Sequence, residues 1–222
     1  DELSVEDNAL IENPHPERTE PPCVHARVCG GCALQHVNPE FQILHKQQVL
    51  LDQLQHFGKL QPEDIALPLT SMELGYRTKA RLGVRYVQKY DEVLVGFRER
   101  HSNFVTRIEQ CDVLVPAFGQ SINVLKTLVH SLSVRQRIPQ IEVAAGDKHY
   151  ALVIRHMDPL TADDIGKLIA FSEDSGLAIY LQSKGPETVQ KLWPEDGGDL
   201  LSYHLPDYDL RFEFHPNDFT QV

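Results

Sequence analysis

Three of the four cysteines of this chain lie within ten residues, in the stretch CVHARVCGGCALQH that begins at residue 23. Their spacing is Cys23-x5-Cys29-x2-Cys32, and the fourth, Cys111, lies far along the chain. Two thiolates separated by two residues can ligate one metal centre, and glycines between them let backbone amides turn towards sulfur. Four thiolates suit either a zinc site or an iron-sulfur cluster, and spacing alone does not choose between them.

Other interpretations of this cysteine set are simpler. His25 and His36 are nearby alternative ligands, although surface histidines without a ligand role are more common. Buried cysteines without a metal and disulfides are the remaining alternatives, and disulfides are disfavoured in a reducing compartment. We expect a cytoplasmic protein with no membrane association, because the chain opens with acidic and polar residues and has no apolar run long enough to cross a bilayer.

Composition indicates a globular protein with an unusual distribution of charge. The 222 residues are 41% hydrophobic, which is enough for a core, and the net charge is −11. Acidic residues dominate both ends, whereas residues 77–107 carry eight bases and three acids. A net charge of −11 alone argues against a nucleic-acid partner, but the basic middle segment restores that option.

The basic residues are placed by a strand pattern. In YRTKARLGVRYV, residues 76–87, apolar and aromatic residues alternate with Arg77, Lys79, Arg81 and Arg85. A two-residue period predicts a strand with one buried face and one basic face. QKYDE, residues 88–92, predicts a hairpin turn that leads into a strand at VLVGFRER.

The other predicted elements alternate between helices and strands. Helices are predicted from Asn38 and Pro39 to just before Gly58, in PAFGQSINVLKTLVHSL (116–132), and from the cap Thr161 to Gly176. Strands are predicted in NFVTRIEQC (103–111), which would deliver Cys111, in a pair around Gly146, in LAIYLQS (177–183) and in YDLRFEF (208–214). The order predicts an α+β fold with a mostly antiparallel sheet, packed helices and a cysteine-rich cluster-binding loop.

Several stretches in order resemble the bacterial 23S ribosomal RNA (uracil-5-)-methyltransferases. They are PERTEPPCVHARVCGGCALQH, GYRTKARLGVRY, VGFRERHSNFV, QCDVLVP and FHPNDFTQV, which together extend along almost the whole chain. The resemblance is to the branch of that family that carries the cysteine set. It implies a 4Fe-4S cluster at Cys23, Cys29, Cys32 and Cys111, with a role that is first of all structural.

The resemblance also implies a domain organisation. Residues 1–22 would be a linker or the remnant after a missing TRAM domain, residues 23–214 the central iron-sulfur and RNA-recognition domain, and residues 215–222 the start of a missing Rossmann-like methyltransferase domain. We therefore expect a monomeric fragment of a longer enzyme that acts on 23S ribosomal RNA.

The family's chemistry makes methyl transfer by this chain alone unexpected. Family enzymes add a cysteine thiolate to C6 of uracil, transfer a methyl group from S-adenosyl-L-methionine to C5 and then remove the C5 proton. All four cysteines are assigned to the cluster, and EDGGDL does not have the spacing of a glycine-rich cofactor turn. Gln221 matches a family position that contacts the cofactor, and Phe219 beside it is a candidate cleft residue.

The basic strand is the candidate RNA face. Arg77, Lys79 and Arg81, followed by Arg98 and Arg100, are the predicted phosphate contacts, and the alternative is an ordinary solvated sheet face. Two functions of other classes stay open: a zinc- or iron-sulfur-binding RNA adaptor without methyltransferase activity, and a redox or electron-transfer module.

Overall fold

The computed structural model describes residues 11–196 and 198–220. The chain divides into two compact units, Asp1–Glu73 and Leu74–Val222, with their boundary inside the predicted central domain. Among the described residues, no helix is both long enough and apolar enough to span a bilayer. The fold class predicted from the sequence, α+β with a mostly antiparallel sheet, is confirmed.

The first unit consists of a loop region followed by helix α1 (Pro39–Gln53) and a single π turn, Leu54–Gly58. The Asn38 side chain accepts a hydrogen bond from the Glu40 amide, and Pro39 occupies the first turn, as predicted. Along α1 every residue is exposed or half-exposed, and Leu44 and Leu50 face solvent. Among the described residues of this unit, the apolar side of the predicted helix is therefore only partly covered.

The second unit contains helices on one side of a sheet. The helices are α2 (Pro116–Gly119), α3 (Ile122–Ser131) and α4 (Ala162–Ser175). Within the described part of this unit, six strands pair in the order β2-β1-β3-β4-β5-β6. They are β1 (Lys79–Val87), β2 (Glu92–Gly96), β3 (Gln140–Ala145), β4 (Tyr150–Arg155), β5 (Ala178–Gln182) and β6 (Val189–Trp193).

The larger hydrophobic core lies between this sheet and helices α3 and α4. Leu82, Val84 and Ile141 of the sheet pack in it with Leu125 of α3 and Leu168 of α4. The strand β4 pairs parallel with β5, because α4 carries the chain back between them, and the other neighbours are antiparallel.

A separate hairpin covers part of the opposite face of the sheet. It consists of β7 (Leu201–Leu205) and β8 (Leu210–Phe214). Leu201 and Phe214, at its base, pack on Ala144, Ala151 and Val153 in a second hydrophobic cluster. A Cβ atom at Gly146 would lie 2.6 Å from the Ser202 carbonyl oxygen, so only glycine allows the hairpin to approach this closely.

Two predicted elements were wrong in detail. Residues 103–111 are not a strand, and one isolated bridge joins Arg98 to Val105. Beyond this bridge, Ile108 is buried in the core, and its carbonyl accepts a hydrogen bond from Lys126 Nζ at 2.6 Å. The predicted helix at 116–132 is two helices, since the chain breaks at Gln120 and Ser121. Strands β6 and β7 were not predicted.

Candidate metal centre and nucleic-acid interface

In the first unit, the three clustered cysteines lie in a loop with fixed ends. Arg18 and Val37 form an isolated antiparallel bridge, and the Thr19 amide donates to the His36 carbonyl at 3.0 Å. The Gln42 side chain of α1 donates to the carbonyls of Leu34 and Val37, at 3.0 and 2.9 Å. These contacts hold residues 20–35 together as one closed loop, which we call the cysteine loop.

Local turns hold the cysteines inside this loop. The Cys29 amide donates to the His25 carbonyl at 2.8 Å, and the Ala26 amide donates to the Cys23 carbonyl at 3.0 Å. The Gly31 amide donates to Cys29 Sγ at 3.4 Å. Amide hydrogen bonds to sulfur stabilise a thiolate and tune bound clusters, so the donor set and the glycine pair fit a thiolate-bound centre.

Cys111 belongs to the second unit, where it is half-buried against the larger core. Its amide donates to the Gly119 carbonyl at 3.0 Å. A Cβ atom on Gly119 would lie 2.3 Å from the Cys111 carbonyl oxygen. The glycine therefore lets α2 pack directly on the backbone of this cysteine.

The predicted four-cysteine set stays a prediction. Across the described residues, no three side chains of His, Cys, Asp and Glu are grouped closely enough to hold a metal ion. The three loop cysteines are each half-buried. The loop therefore has suitable donors, while the geometry of a bound centre is not defined by these side chains.

In the second unit, the predicted RNA-binding residues Arg77 and Lys79 are half-buried and make internal contacts. The guanidinium carbon of Arg77 lies 5.5 Å from the centre of the Phe97 ring, and Arg77 Nε is buried. Lys79 Nζ donates to the Asp218 carbonyl. Burial lowers the pKa of Lys79, and the nearby carboxylates of Glu142 and Asp218 act against that shift.

Arg81 combines an internal partner with solvent exposure. Its Nε and Nη2 each lie 3.0 Å from Glu142 Oε1, while 69% of its side chain is exposed. Glu142 is buried and also accepts a hydrogen bond from Gln140 Nε2 at 2.8 Å. The ion pair compensates the buried carboxylate and leaves one edge of the guanidinium available to a ligand.

The strand register adds two basic residues to the same sheet face. Arg85 follows Arg81 along β1 with the two-residue period, and it is exposed. Arg155 of β4 pairs with Gln140, which in turn pairs with Gly83 of β1. Sequence reasoning did not find Arg155, because β4 is apolar on both faces and its alternation is hidden.

Arg98 and Arg100 lie in residues 97–106, a segment that folds back on itself and that we call the 97–106 arm. The Thr106 amide donates to the Phe97 carbonyl at 2.9 Å, and the Glu99 amide donates to the Phe104 carbonyl at 3.0 Å. Both arginines are exposed, and Arg98 Nη1 donates to Asn103 Oδ1 at 3.0 Å. This arrangement places two cations near the tip of the arm.

The predicted cofactor contact is at the end of the chain. Gln221 lies outside the described residues. Phe219, the predicted cleft residue, is 87% exposed. The preceding turn is ordered by the Asp218 carboxylate, which accepts a hydrogen bond from the His215 amide at 2.7 Å.

Comparison with solved structures identifies the fold class. The chain is similar to a tRNA (uracil-54, C5)-methyltransferase from Pyrococcus abyssi in complex with S-adenosyl-L-homocysteine, with a TM-score of 0.62 and 18% identity. The match covers 95% of this chain and 49% of that chain. At this identity the likeness shows the fold alone: the chain shares the fold of about half of that protein.

Sequence comparison narrows the class. A 23S rRNA (uracil(1939)-C(5))-methyltransferase RlmD from Hahella chejuensis is 64% identical over 222 residues, which are 100% of this chain and 49% of the relative. The corresponding protein of Alcanivorax borkumensis is 49% identical over 207 residues, 93% of this chain and 46% of the relative. No family model matches the chain. The chain is therefore similar over nearly its whole length to proteins named RlmD, and it spans about half the length of the curated relatives it matches.

Proposed function

We propose that this chain is the RNA-recognition portion of a 23S ribosomal RNA (uracil-5-)-methyltransferase that forms 5-methyluridine. The observation that carries the proposal is the 64% identity to the Hahella relative over all 222 residues. The relative's name specifies 23S rRNA and the C5 position of a uracil. The exposed basic residues of the second unit support an RNA partner.

Within this proposal, the five predicted RNA-binding residues have two roles. Arg81, Arg98 and Arg100 are exposed and contact phosphates. Arg77 and Lys79 have a structural role. Arg77 lies over the Phe97 ring at the base of the 97–106 arm, and Lys79 donates a hydrogen bond to the Asp218 carbonyl. Arg85 and Arg155 extend the basic sheet face beyond the predicted set.

The proposed cofactors are a 4Fe-4S cluster and S-adenosyl-L-methionine. Cys23, Cys29, Cys32 and Cys111 would hold the cluster, which would brace the cysteine loop. The donor type, the spacing and the amide hydrogen bond to Cys29 Sγ support this assignment. Gln221 would contact S-adenosyl-L-methionine in the whole enzyme. We further propose a cytoplasmic monomer, and no methyl transfer by the chain alone, because no cysteine is left to act as nucleophile.

A chimera tests this function. The chain replaces the matched half of the Hahella relative, and the purified chimera is incubated with 23S rRNA transcript and labelled S-adenosyl-L-methionine. We expect 5-methyluridine from the chimera and none from the chain alone. Iron and acid-labile sulfide are measured in the same preparations, purified without oxygen, and about four of each per chain are expected.

Matched variants separate the alternatives. Cys23→Ser and Cys111→Ser should each lower iron and sulfide, whereas the control Ser183→Ala, at an exposed serine, should not. One zinc without sulfide would favour the RNA adaptor, and reversible redox cycling without methyl transfer would favour the redox module. A chimera that keeps its cluster and forms no 5-methyluridine would refute the proposed function.

A further inference from the structure

The 97–106 arm is anchored on the sheet. Gly83 of β1 and Gly96 of β2 are direct partners in the strand pairing. A Cβ atom at Gly83 would lie 3.0 Å from Val105 Cγ2, and one at Gly96 would lie 3.0 Å from the Thr106 carbonyl oxygen. The glycine pair thus provides the space in which the returning half of the arm packs, and the arm has a fixed base.

The tip of the arm is also ordered. Ser102 Oγ donates to Glu99 Oε2 at 2.6 Å and accepts a hydrogen bond from the Phe104 amide at 3.0 Å. Asn103 Oδ1 accepts from Arg98 Nη1. These bonds hold the backbone just before Phe104, so the arm fixes the position of this residue.

Phe104 presents its ring to solvent from this ordered tip. The residue is 73% exposed, whereas Phe97, at the base of the same arm, is half-buried beneath Arg77. A single exposed apolar side chain is common on protein surfaces and by itself indicates nothing. Here the ring is held in place and lies on the same short arm as Arg98 and Arg100.

The charge near Phe104 favours a polyanion. Arg98 and Arg100 flank Glu99, whose carboxylate is hydrogen-bonded by Ser102. Aromatic rings on which unpaired bases stack, combined with cations that contact the backbone, are the usual means of binding single-stranded nucleic acid. An RNA base can stack on a ring only when its face is free, which occurs in single strands, loops and bulges.

We propose that Phe104 is a stacking platform for an unpaired base of the RNA, while Arg98 and Arg100 contact neighbouring phosphates. This inference rests on the proposed RNA-binding function and adds a residue and a form of RNA to it. Recognition of an unpaired nucleotide is sequence-tolerant at this position, because every base has a π face.

The test compares RNA binding by the whole chain and by its Phe104→Ala and Phe104→Trp variants. Fluorescence anisotropy is recorded with a short labelled single-stranded RNA of mixed sequence, and with the same RNA annealed to its complement, over a series of salt concentrations. Phe57→Ala is the control, because Phe57 is 87% exposed but lies in the other unit.

We expect Phe104→Ala to weaken single-strand binding roughly 5- to 150-fold and Phe104→Trp to retain wild-type affinity. The dependence of affinity on salt should not change in either variant, because phenylalanine releases no counterions. Duplex binding should change little. A second readout is the indole fluorescence of Phe104→Trp in a Trp193→Phe background, which single-stranded RNA should quench.

Other outcomes overturn the inference in distinguishable ways. Equal single-strand affinity for the wild type and Phe104→Ala would exclude stacking on this ring. An equal loss on duplex RNA would also exclude it, because paired bases do not expose their faces. If the wild-type chain binds neither RNA at low salt, the proposed RNA-binding function itself fails. If only the Phe104 effect is absent, that function stands and this inference fails.

Discussion

Replacing Asp164 with alanine should destabilise the second unit strongly. Asp164 is fully buried near the start of α4 and is the reciprocal partner of the helix cap Thr161. Its carboxylate accepts hydrogen bonds from the Ser133 amide at 2.7 Å and the Ser133 hydroxyl at 2.6 Å. It also accepts from the amide and hydroxyl of Thr161, at 3.0 and 2.9 Å.

The size of the effect follows from these four donors. A hydrogen bond to a charged group contributes about 1.5–3 kcal/mol, and a helix cap contributes about 1 kcal/mol. The bonds share one carboxylate and do not add, and the Thr161 hydroxyl still caps the Asp164 amide after the change. We therefore expect Asp164→Ala to lower the free energy of unfolding by about 3 kcal/mol.

The matched control is the neighbouring residue. Asp163 is exposed and forms an i,i+4 ion pair with Lys167 at 2.7 Å, so Asp163→Ala should cost no more than about 0.5 kcal/mol. Urea denaturation followed by circular dichroism measures both variants. Similar free energies of unfolding for the two variants would show that the buried carboxylate is not the stabilising group.

The pH dependence provides a second check. Burial raises the pKa of Asp164, but the hydrogen bonds from Ser133 and Thr161 lower it by a larger amount. The pKa of Asp164 therefore lies well below its usual range. A lowered carboxyl pKa stabilises the fold above the unfolded-state pKa of about 4, and this contribution is lost as the pH falls towards the folded-state pKa. The difference between wild type and Asp164→Ala should therefore narrow below about pH 4. A constant difference there would mean that ionisation is not involved.

Two further predictions concern the RNA face and the cysteine in the second unit. Arg98→Ala should weaken RNA binding and reduce the slope of log affinity against log salt concentration by about one, and an unchanged slope would argue against a phosphate contact. Arg77→Ala should mainly lower stability, because the Arg77 guanidinium lies over an aromatic ring. Gly119→Ala should cost about 2–3 kcal/mol of stability in thermal or urea denaturation, because the added Cβ meets the Cys111 backbone. The control Gly166→Ala has open space around the added Cβ and should stabilise α4 by up to about 1 kcal/mol. Equal effects of the two glycine changes would show that close packing at the cysteine is not limiting.

The sequence predicts best those elements whose two sides differ. In β1 the buried residues Ala80, Leu82 and Val84 alternate with polar positions, because one face meets the helices and the other does not. The helix α4 was found from its own cap and its glycine stop, which are local signals. Strands β6 and β7 were missed although three of the five residues in each are hydrophobic, because a run of five residues is too short for its period to predict a strand.

Long-range contacts explain what sequence reasoning could not assign at the candidate interface. The outward direction of the basic side of β1 was predicted, but the sequence does not indicate that Lys79 meets the carbonyl of Asp218, because the two are far apart in the chain. Phe104 was assigned to a strand over residues 103–111 that does not form. Its exposure depends on the short arm, which no local pattern revealed.

The boundary between Glu73 and Leu74 leaves all the tryptophan and tyrosine residues of the chain in one of the two units. Trp193 and all seven tyrosines belong to Leu74–Val222, so the unit with the cysteine loop contributes no tryptophan or tyrosine emission. Near-ultraviolet fluorescence therefore follows the second unit alone, and visible absorption would follow a bound cluster. A shift of tryptophan emission when iron and sulfide are restored to the metal-depleted chain would be a signal from the unit that contains Cys111.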